Sequence, residues 1–370
     1  MTEKILVQGN EAIGWGAINA GCCYFFGYPI TPQNEITEWF ARELPSRGGV
    51  FVQTQSELGS INMLYGAAAA GARAMTSTSG PGWALMQETM AHLTAAELPC
   101  VIVLVQRGGA PAAAGTRHAQ TDYTSATRGG GHSGYKDIVL TPASVQESHD
   151  LMQLAFHLAD KYRNPVIVMT DAIIGQMSEP LEVKPLDFGP LPDKDWALKG
   201  KGEHKDGKRR YVMSAHGVLA EPPFYMDWVG FAEHCDNKFK RIKSAEVMYE
   251  THQTEDAELV LVAYGYTARC SEEAIAQARA EGLKVGLIRP ITVWPFPYDV
   301  IREKANQGCK FLVVEDSTGQ MIEDVILGVE GKAPVHLLGI WARHMRTVAG
   351  MITPERVLEE IRKLMLGDCH

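Results

Sequence analysis

Three side chains with clear chemical uses lie shortly after short apolar runs of the sequence. They are Thr31, Glu57 and Arg107, and the runs before them cover residues 22–26, 50–53 and 101–105. A carboxylate can exchange a proton with a bound molecule, and a guanidinium can hold a carboxylate or phosphate through two parallel hydrogen bonds. The prolines of Pro29-Ile30-Thr31-Pro32 stiffen the loop that carries the hydroxyl. Together these residue types predict a site for a small anionic molecule.

The same residues also fit ordinary structural roles. The helix dipole favours glutamate in a first turn, so Glu57 fits a carboxylate that stabilises the start of an alanine-rich helix. An ion pair with a protein acid suits Arg107 as well as a ligand does, and Thr31 fits the entry to a helix. Arg117 and His118, about ten residues after Arg107, form a second candidate basic pair. Both interpretations stay open at this point.

Two glycine-rich segments are further candidates for contact with a ligand. Residues 77–82 (Ser-Thr-Ser-Gly-Pro-Gly) precede a predicted helix at Trp83, where exposed backbone N–H groups favour an anion. This segment matches neither the Walker A loop nor the GxGxxG fingerprint. Three consecutive glycines at 129–131 lead into His132. That pattern fits an active-site loop with a pH-sensitive group, but for His132 it favours an ordinary solvent-exposed histidine.

The elements that position these residues follow from the hydrophobic pattern. Runs that are apolar on both faces predict buried parallel strands at 50–53, 101–105, 165–170, 259–263, 284–288 and 311–314. Helical patterns lie at 10–21, 57–71, 83–96, 144–161, 271–281 and 354–366, with Asn10, Ser144 and Ser271 as expected N-caps. Strands that alternate with helices predict an α/β fold on mainly parallel sheets. Open sheets of this kind bind ligands at the carboxyl ends of their strands.

Composition divides the chain into three parts. Two α/β domains, residues 1–185 and 251–370, are separated by a connector at 186–250 that is charged near 200–210 and aromatic near 219–228. The aromatic stretch fits either an arm packed over its own domain or a contact with a partner subunit. The net charge of −9 argues against binding to nucleic acid or to an anionic membrane. No signal peptide or apolar run of spanning length is visible, so we expect a cytoplasmic protein.

The cysteines are not spaced as ligands of a metal or a cluster. There are seven of them, none in a CxxC pair, and Cys22 and Cys23 are adjacent within an apolar run. Reduced, buried thiols in a cytosolic protein fit this pattern. We therefore expect no metal site and no iron–sulfur cluster on this chain.

Four segments of the first domain occur in a distinctive order. They are residues 28–35 (YPITPQNE), 56–63 (SELGSINM), 71–82 (GARAMTSTSGPG) and 106–109 (QRGG). Together they resemble the alpha subunit of 2-oxoacid:ferredoxin oxidoreductases. Residues 265–268 (GYTA) and 288–297 (IRPITVWPFP) are similar to that family's second domain, which resembles the transketolase C-terminal domain. Residues 33–35 and 129–132 favour the branched-chain, 2-ketoisovalerate type.

The resemblance implies a fold and a set of site residues. The fold is the α/β pyrimidine-type domain of thiamine diphosphate enzymes, a doubly wound parallel sheet, followed by a transketolase C-terminal-like α/β domain. Glu57 matches the glutamate that hydrogen-bonds N1′ of the cofactor's aminopyrimidine and thereby activates the cofactor. Thr31 and Arg107 match positions that hold the substrate carbonyl and carboxylate, and Arg117 is a second candidate for the carboxylate. The residues implied to line the cofactor are Tyr28, Pro29, Ile30, Ser79 and Gly80.

The resemblance also implies an activity and partners. The activity is oxidative decarboxylation of a 2-oxoacid, with coenzyme A as the acyl acceptor. The Gly-Asp-Gly plus Asn pattern that anchors magnesium diphosphate in thiamine enzymes does not occur here. A beta subunit is therefore implied to hold the diphosphate, Mg²⁺ and at least one 4Fe–4S cluster. A gamma subunit, a ferredoxin-like delta subunit and ferredoxin or a similar acceptor are implied as further partners.

Two alternatives from different classes remain beside this hypothesis. One is the beta chain of a lipoamide-linked 2-oxoacid dehydrogenase, which has the same domain order. The other is a scaffold subunit without catalytic residues. Among substrates, 2-oxoglutarate, arylglyoxylates and pyruvate share the 2-oxo carboxylate with 2-ketoisovalerate, and a second basic group at Arg117 or His118 would favour 2-oxoglutarate.

Overall fold

The first half of the chain alternates strands with helices. A computed structural model describes residues 4–109, 117–132, 134–200, 204, 206–207, 210, 212, 228–340 and 351–367. The strands of this half are β1 (Lys4–Gln8), β2 (Tyr24–Gly27), β3 (Val50–Gln53), β4 (Ala74–Thr78), β5 (Val101–Gln106), β6 (Ile138–Leu140), β7 (Val166–Asp171) and β8 (Ser178–Glu182). The helices are α1 (Gly9–Asn19), α2 (Asn34–Glu43), α3 (Glu57–Ala69), α4 (Gly80–Ala95), α5 (Tyr123–Arg128), α6 (Val145–Tyr162) and α7 (Ala172–Gln176), with a 3₁₀ turn at Pro45–Arg47.

The second half continues the alternation. Its helices are α8 (Trp228–Ala245), α9 (Gly265–Ala280), α10 (Tyr298–Asn306), α11 (Met321–Val329) and α12 (Pro354–Leu366). Its strands are β9 (Tyr249–His252), β10 (Leu259–Val262), β11 (Val285–Pro290), β12 (Thr292–Trp294), β13 (Lys310–Val314) and β14 (Val335–Leu338). Most of the predicted connector near 200–228, including nearly all of its aromatic stretch, lies outside the described residues. Among the described helices, none combines the length and the apolar character needed to cross a membrane.

Two larger sheets organise the fold. The first has seven strands in the order β12-β6-β7-β5-β4-β2-β3, and the second has five in the order β14-β13-β10-β11-β9. Within the first sheet the strands from β6 to β3 pair in parallel, and only the edge strand β12 is antiparallel. In the second sheet the edge strand β9 is the antiparallel one. The predicted α/β class with mainly parallel sheets is confirmed.

The central strands are buried along their whole length. Every residue of β4, β5 and β7 is buried, which explains the continuous apolar runs of β5 and β7. Strand β4 is equally buried although its sequence, Ala-Met-Thr-Ser-Thr, is mostly polar, and it was not predicted. Strand β12 comes from the second half of the sequence yet pairs with β6 of the first sheet. The two halves are thus joined through a shared sheet as well as through packing.

Three expected helix starts differ from the structure. Helix α1 has Gln8 as its N-cap, and the Asn10 side chain instead donates to the Pro32 carbonyl at 2.9 Å. Helix α9 begins at Gly265, because Ser271 lies inside it and its hydroxyl donates to Thr267 O at 2.8 Å. Helix α4 begins at Gly80 rather than Trp83, so the Gly-Pro-Gly segment is its first turn.

The expected cap of α6 is confirmed. Ser144 accepts a hydrogen bond from the Glu147 N–H at 3.1 Å. The Glu147 carboxylate accepts from the backbone of Ala143 at 2.9 Å, one residue before the position of a regular capping box. The same carboxylate pairs with the buried Arg289 of β11. This contact links the start of α6 to the second sheet.

Candidate active site

The predicted site residues meet at one edge of the seven-stranded sheet. Strands β5, β4, β2 and β3 are consecutive neighbours and run parallel, so their carboxyl ends lie side by side. Arg107 follows β5, Ser79 follows β4, and the loop at 28–33 follows β2. Glu57 begins the helix that follows β3. The topology therefore brings together four segments that are separated by up to about 80 residues in sequence.

Gln33, which belongs to a sequence motif but was not predicted as a site residue, holds the loop after β2. Gln33 donates from Nε2 to the carbonyl of Tyr28 at 2.9 Å. Its Oε1 accepts from Ser77 Oγ of β4 at 2.5 Å and from Thr37 Oγ1 at 3.1 Å. The loop is thus fixed to the neighbouring strand by a buried amide. Its tip, Pro29, is exposed.

The Arg107 side chain spans two of these segments. Its Nη1 donates to the Thr31 carbonyl at 2.8 Å. The guanidinium lies against Gly80, where an added Cβ would be 3.5 Å from Nε. Nε itself is buried without a hydrogen-bond partner, and Arg107 forms no ion pair with a carboxylate among the described residues. Arg107 therefore keeps donors for an anion, as the ligand interpretation requires.

Glu57 is a buried residue whose carboxylate has no hydrogen-bond partner in the described part of the chain. Its residue is 5% exposed, and no described residue forms a hydrogen bond with its carboxylate. Ser56 is the N-cap of α3 and accepts from Gly59 N–H, so capping does not need Glu57. A Cβ on Gly82 would lie 2.5 Å from Glu57 Oε1, so only glycine leaves room for the carboxylate there. A carboxylate in this position can accept a hydrogen bond from a bound group.

Other buried polar atoms without partners lie at the same sheet edge. Ser79 is the N-cap of α4, but its hydroxyl makes no capping bond. The buried atoms without partners in these segments are Asn34 Oδ1, Thr78 Oγ1, Ser79 Oγ, Arg107 Nε, Arg117 Nε and Asp122 Oδ2. Buried polar groups are nearly always hydrogen-bonded, so such a concentration marks a place for a polar ligand. The donors and acceptors fit a heteroaromatic cofactor with ring nitrogens beside an anionic substrate.

Asp122 is a site residue that the sequence analysis missed. It directly precedes α5, and burial raises its carboxyl pKa to about 7, although the backbone N–H groups of Arg107 and Gly80 and the charge of Arg107 act in the opposite direction. The residue after it, Tyr123, donates to Asp324 of α11 at 2.7 Å. An acidic residue just before a short helix is a weak signal, since caps of this type are common.

The two residues of the second basic pair, Arg117 and His118, have different surroundings. The Arg117 carbonyl accepts from Gly108 N–H at 2.7 Å, which places Arg117 beside the strand end that carries Arg107. His118 Nδ1 lies 2.8 Å from Asp316 Oδ2, and the Tyr266 hydroxyl donates to the same oxygen at 2.6 Å. His118 is therefore engaged by a carboxylate of the second half. Residues 110–116, between the two arginines, lie outside the described residues.

The chain matches two family descriptions over most of its length. Residues 15–248 match "Pyruvate flavodoxin/ferredoxin oxidoreductase, thiamine diP-bdg", and residues 257–349 match "Pyruvate:ferredoxin oxidoreductase core domain II". The ketoisovalerate oxidoreductase subunit VorB of Methanothermobacter thermautotrophicus is 46% identical, with 97% of each chain covered. The 2-oxoglutarate synthase subunit KorA of the same organism is 38% identical over 98% of this chain and 100% of the relative. These matches confirm the resemblance seen in the sequence.

Solved structures agree with this assignment. A 2-oxoglutarate:ferredoxin oxidoreductase from Magnetococcus marinus aligns with a TM-score of 0.81 at 28% identity, covering 98% of this chain and 66% of that one. A split-gene transketolase aligns with a TM-score of 0.59 at 13% identity, which supports a shared fold only. The chain belongs to the 2-oxoacid:ferredoxin oxidoreductase family, as an enzyme subunit that contains the family's thiamine diphosphate-binding domain.

Proposed function

We propose that this chain binds the aminopyrimidine half of thiamine diphosphate and the 2-oxoacid in a multisubunit 2-oxoacid:ferredoxin oxidoreductase. The enzyme converts a 2-oxoacid and coenzyme A into acyl-CoA and carbon dioxide, and passes the electrons to ferredoxin. The observation that carries this proposal is the buried Glu57 carboxylate, which has no hydrogen bond to a described residue and lies against Gly82. Bound thiamine diphosphate supplies the nucleophilic carbon and the electron sink of the reaction.

The role proposed for Glu57 is proton exchange with the aminopyrimidine ring of the cofactor. The glycine at position 82 leaves room for the Glu57 carboxyl group, which would hold ring nitrogen N1′ and exchange a proton with it. Ser79 and Gly80, at the start of α4, and Tyr28, Pro29 and Ile30, in the loop after β2, surround the ring. The unpaired hydroxyl of Ser79 supports a polar contact on that side.

Arg107 orients the substrate carboxylate beside the cofactor. The Thr31 carbonyl occupies one of its donors, and the buried Nε remains for the substrate. A charge-assisted pair of this type contributes about 1.5–3 kcal/mol, which serves mainly to position the 2-oxo carbon. Thr31 lies next to it and is the donor proposed for the substrate carbonyl. Arg117 stays the second candidate for the carboxylate.

A branched-chain 2-oxoacid is the substrate class that the observations favour. Of the relatives compared, the ketoisovalerate oxidoreductase subunit is the more similar, at 46% against 38% identity for the 2-oxoglutarate synthase subunit. A second carboxylate on the substrate would need a second free cation. His118 is engaged by Asp316, which removes one of the two groups that were candidates for that role.

Partner subunits complete the site and carry the redox centres. A beta subunit holds the diphosphate, Mg²⁺ and a 4Fe–4S cluster, and gamma and ferredoxin-like delta subunits lead the electrons to ferredoxin. The described part of this chain offers exposed apolar side chains on the elements that form the site. Leu58, next to Glu57, is 48% exposed, and Leu85 of α4 is 54% exposed. Large exposed leucines beside a ligand site are typical of a surface that another subunit covers.

Charging this apolar surface is expected to weaken assembly. In the double variant Leu58→Asp and Leu85→Asp, two carboxylates would have to be buried against the beta subunit, so co-purification of that subunit is expected to fall at least about tenfold. Leu327→Asp is the matched control, because Leu327 is 61% exposed on α11, which carries none of the proposed site residues. Equal recovery of the beta subunit with the double variant and the control would contradict this surface assignment.

The Asp122 carboxyl is expected to make substrate binding depend on pH. Its pKa is raised to about 7, so it is neutral below that pH and ionised above it. A negative charge beside Arg107 weakens the hold of that cation on a substrate carboxylate. The KM for the 2-oxoacid is therefore expected to rise several-fold between about pH 6 and pH 8, and Asp122→Asn is expected to flatten that rise.

Asp137 offers a control for this pH dependence. Burial raises its pKa to about 7 as well, but its carboxylate accepts from Thr94 and Asn164, away from the sheet edge. Asp137→Asn should keep the wild-type dependence of KM on pH. A pH profile that Asp122→Asn leaves unchanged would show that Asp122 does not act on the substrate.

Reconstitution of the assembled complex tests the proposed function as a whole. We expect reduction of a viologen dye that requires both coenzyme A and a 2-oxoacid, with the largest kcat/KM for 2-ketoisovalerate in a panel with 2-oxoglutarate, pyruvate and an arylglyoxylate. Dye reduction that needs no coenzyme A, or that needs a lipoyl acceptor, would contradict the reaction. A larger kcat/KM for 2-oxoglutarate would contradict the substrate class.

A further inference from the structure

Two histidines and a glutamate converge on the outer face of α4. Glu88 and His92 lie one turn apart on this helix, with Glu88 Oε1 and His92 Nε2 2.9 Å apart. His132 comes from the loop after α5, and its ring packs edge-on against His92 with a centroid distance of 5.4 Å. One ligand atom from each of the three residues lies within 4.8 Å of the other two.

The glycine-rich loop is built to bring His132 to this position. Gln87 of α4 accepts from Gly130 N–H at 2.7 Å and from the Tyr135 hydroxyl at 2.8 Å. A Cβ on Gly131 would lie 2.3 Å from the Gln87 carbonyl, and a Cβ on Gly130 would lie 2.7 Å from Gln87 Oε1. Only glycine at these positions lets the loop lie directly on the helix. The three glycines thus allow the loop to place His132 beside Glu88 and His92 of α4.

We propose that Glu88, His92 and His132 form a binding site for a divalent transition-metal ion, with Zn²⁺ as the preferred ion. Two imidazoles and one carboxylate are a ligand set typical of Zn²⁺, at distances of about 2.0–2.2 Å. Ligand atoms within 4.8 Å of one another need only small side-chain rotations to reach tetrahedral separations, and Glu88 and His132 are exposed. Three protein ligands leave a fourth position for water.

Such an ion would link helix α4 to the loop after α5, and both segments are connected to the sheet edge that carries the proposed site. Helix α4 begins at Gly80 against Arg107, and the loop with His132 follows α5, which begins directly after Asp122. The bound ion would hold the loop on α4 through His132 in addition to the contacts of Gln87. It would act as a structural clamp and take no part in the chemistry at Glu57. The inference is independent of the proposed function.

This site differs from the expectation of no metal on this chain, which rested on the cysteine spacings alone. The local signal was the pair Glu88 and His92, four residues apart, which places two ligands on one helix face. The third ligand is 40 residues further along the chain and becomes visible only when the loop is seated on the helix.

The test is Zn²⁺ binding by the full chain in its assembled complex, prepared without a polyhistidine tag and treated with a chelator. Isothermal titration with Zn²⁺ and elemental analysis after gel filtration are compared for the wild type, His92→Gln, His132→Gln and Glu88→Gln. We expect one Zn²⁺ per chain in the wild type and at least about tenfold weaker binding in each variant. His252→Gln, which removes an exposed histidine of β9, should bind Zn²⁺ as the wild type does.

Two results would overturn the proposal. One is the absence of stoichiometric Zn²⁺ binding by the wild-type complex. The other is binding that His92→Gln and His132→Gln leave unchanged, which would place the ion elsewhere in the complex. Thermal unfolding of the wild type provides a second readout, because Zn²⁺ bound to the folded chain should raise Tm and the rise should vanish in His132→Gln.

Discussion

Replacement of Glu57 by glutamine is expected to lower the turnover of the assembled enzyme by at least about a hundredfold. The amide keeps the size of the side chain and fits the same space against Gly82, so the fold of α3 should persist. It cannot exchange a proton with a ring nitrogen, which is the role proposed for the carboxyl group. Because the Glu57 carboxylate has no hydrogen bond to a described residue, its replacement by a neutral amide should not destabilise the chain.

Steady-state rates with saturating 2-oxoacid, coenzyme A and thiamine diphosphate check this expectation. The matched control is Glu38→Gln, which removes an exposed carboxylate from the neighbouring helix α2. Circular dichroism and thermal unfolding establish that both variants are folded. Turnover of the Glu57 variant within a few-fold of the wild type would favour the helix-start interpretation of this residue.

Replacement of Arg107 by alanine is expected to raise the KM for the 2-oxoacid by about 10- to 100-fold. The guanidinium donates to the Thr31 carbonyl, and its buried Nε has no partner among the described residues, which supports the proposed contact with a substrate carboxylate. Part of the effect will come from the loop after β2, which loses its contact with Arg107. Arg107→Lys separates the two contributions, because it keeps the charge and loses the planar donor set.

The variant Arg117→Ala tests whether Arg107 or Arg117 holds the substrate carboxylate. Both are at the same strand end, since the Arg117 carbonyl accepts from Gly108 N–H. We expect the Arg117 variant to change KM less than the Arg107 variant does. Arg42→Ala on the exposed face of α2 is the control for loss of a positive charge in this half of the chain. A larger effect at Arg117 would reverse the assignment, and an Arg107 variant that only unfolds more easily would support a structural role.

Strands β5, β7, β10, β11 and β13 were predictable, because burial on both faces gives them continuous apolar runs, whereas the equally buried β4 (Ala-Met-Thr-Ser-Thr) is mostly polar and was not predicted. Strand β3 has the expected bounds, and β5 and β7 differ from theirs by one residue. The short edge strands β9 and β12 were not predicted. Three or four residues carry too little pattern, and β12 depends on pairing with β6, about 150 residues earlier in the chain.

Helix starts were predicted less well, because polar residues that suit a cap also serve tertiary contacts. Asn10 has the chemistry of an N-cap, but its amide bonds to Pro32 and Glu35 and ties α1 to the loop after β2. Ser271 bonds back to Thr267 within α9. Competition of this kind is decided by the partners that the fold brings close, which one sequence does not reveal.

The site was only partly predictable for the same reason. Glu57 and Arg107 stand at strand ends, a position that the pattern of apolar runs already marks. Gln33 and Asp122 do not follow an apolar run in this way. Gln33 contributes by its hydrogen bond to the neighbouring strand, and Asp122 is distinguished by its burial beside Arg107. The contacts of Gln33 with Ser77 and of His118 with Asp316 join segments 44 and 198 residues apart.

The rate at which the C2 proton of thiamine diphosphate exchanges with solvent deuterium tests the central claim most directly. That exchange reports activation of the bound cofactor without the later steps, and it can be followed by quenched-flow NMR in the assembled complex. At matched cofactor occupancy, Glu57→Gln should slow the exchange at least about a hundredfold, while Arg107→Ala should leave it within a few-fold of the wild type. Equal exchange rates in the wild type and Glu57→Gln would contradict the role of Glu57 and the proposed site with it.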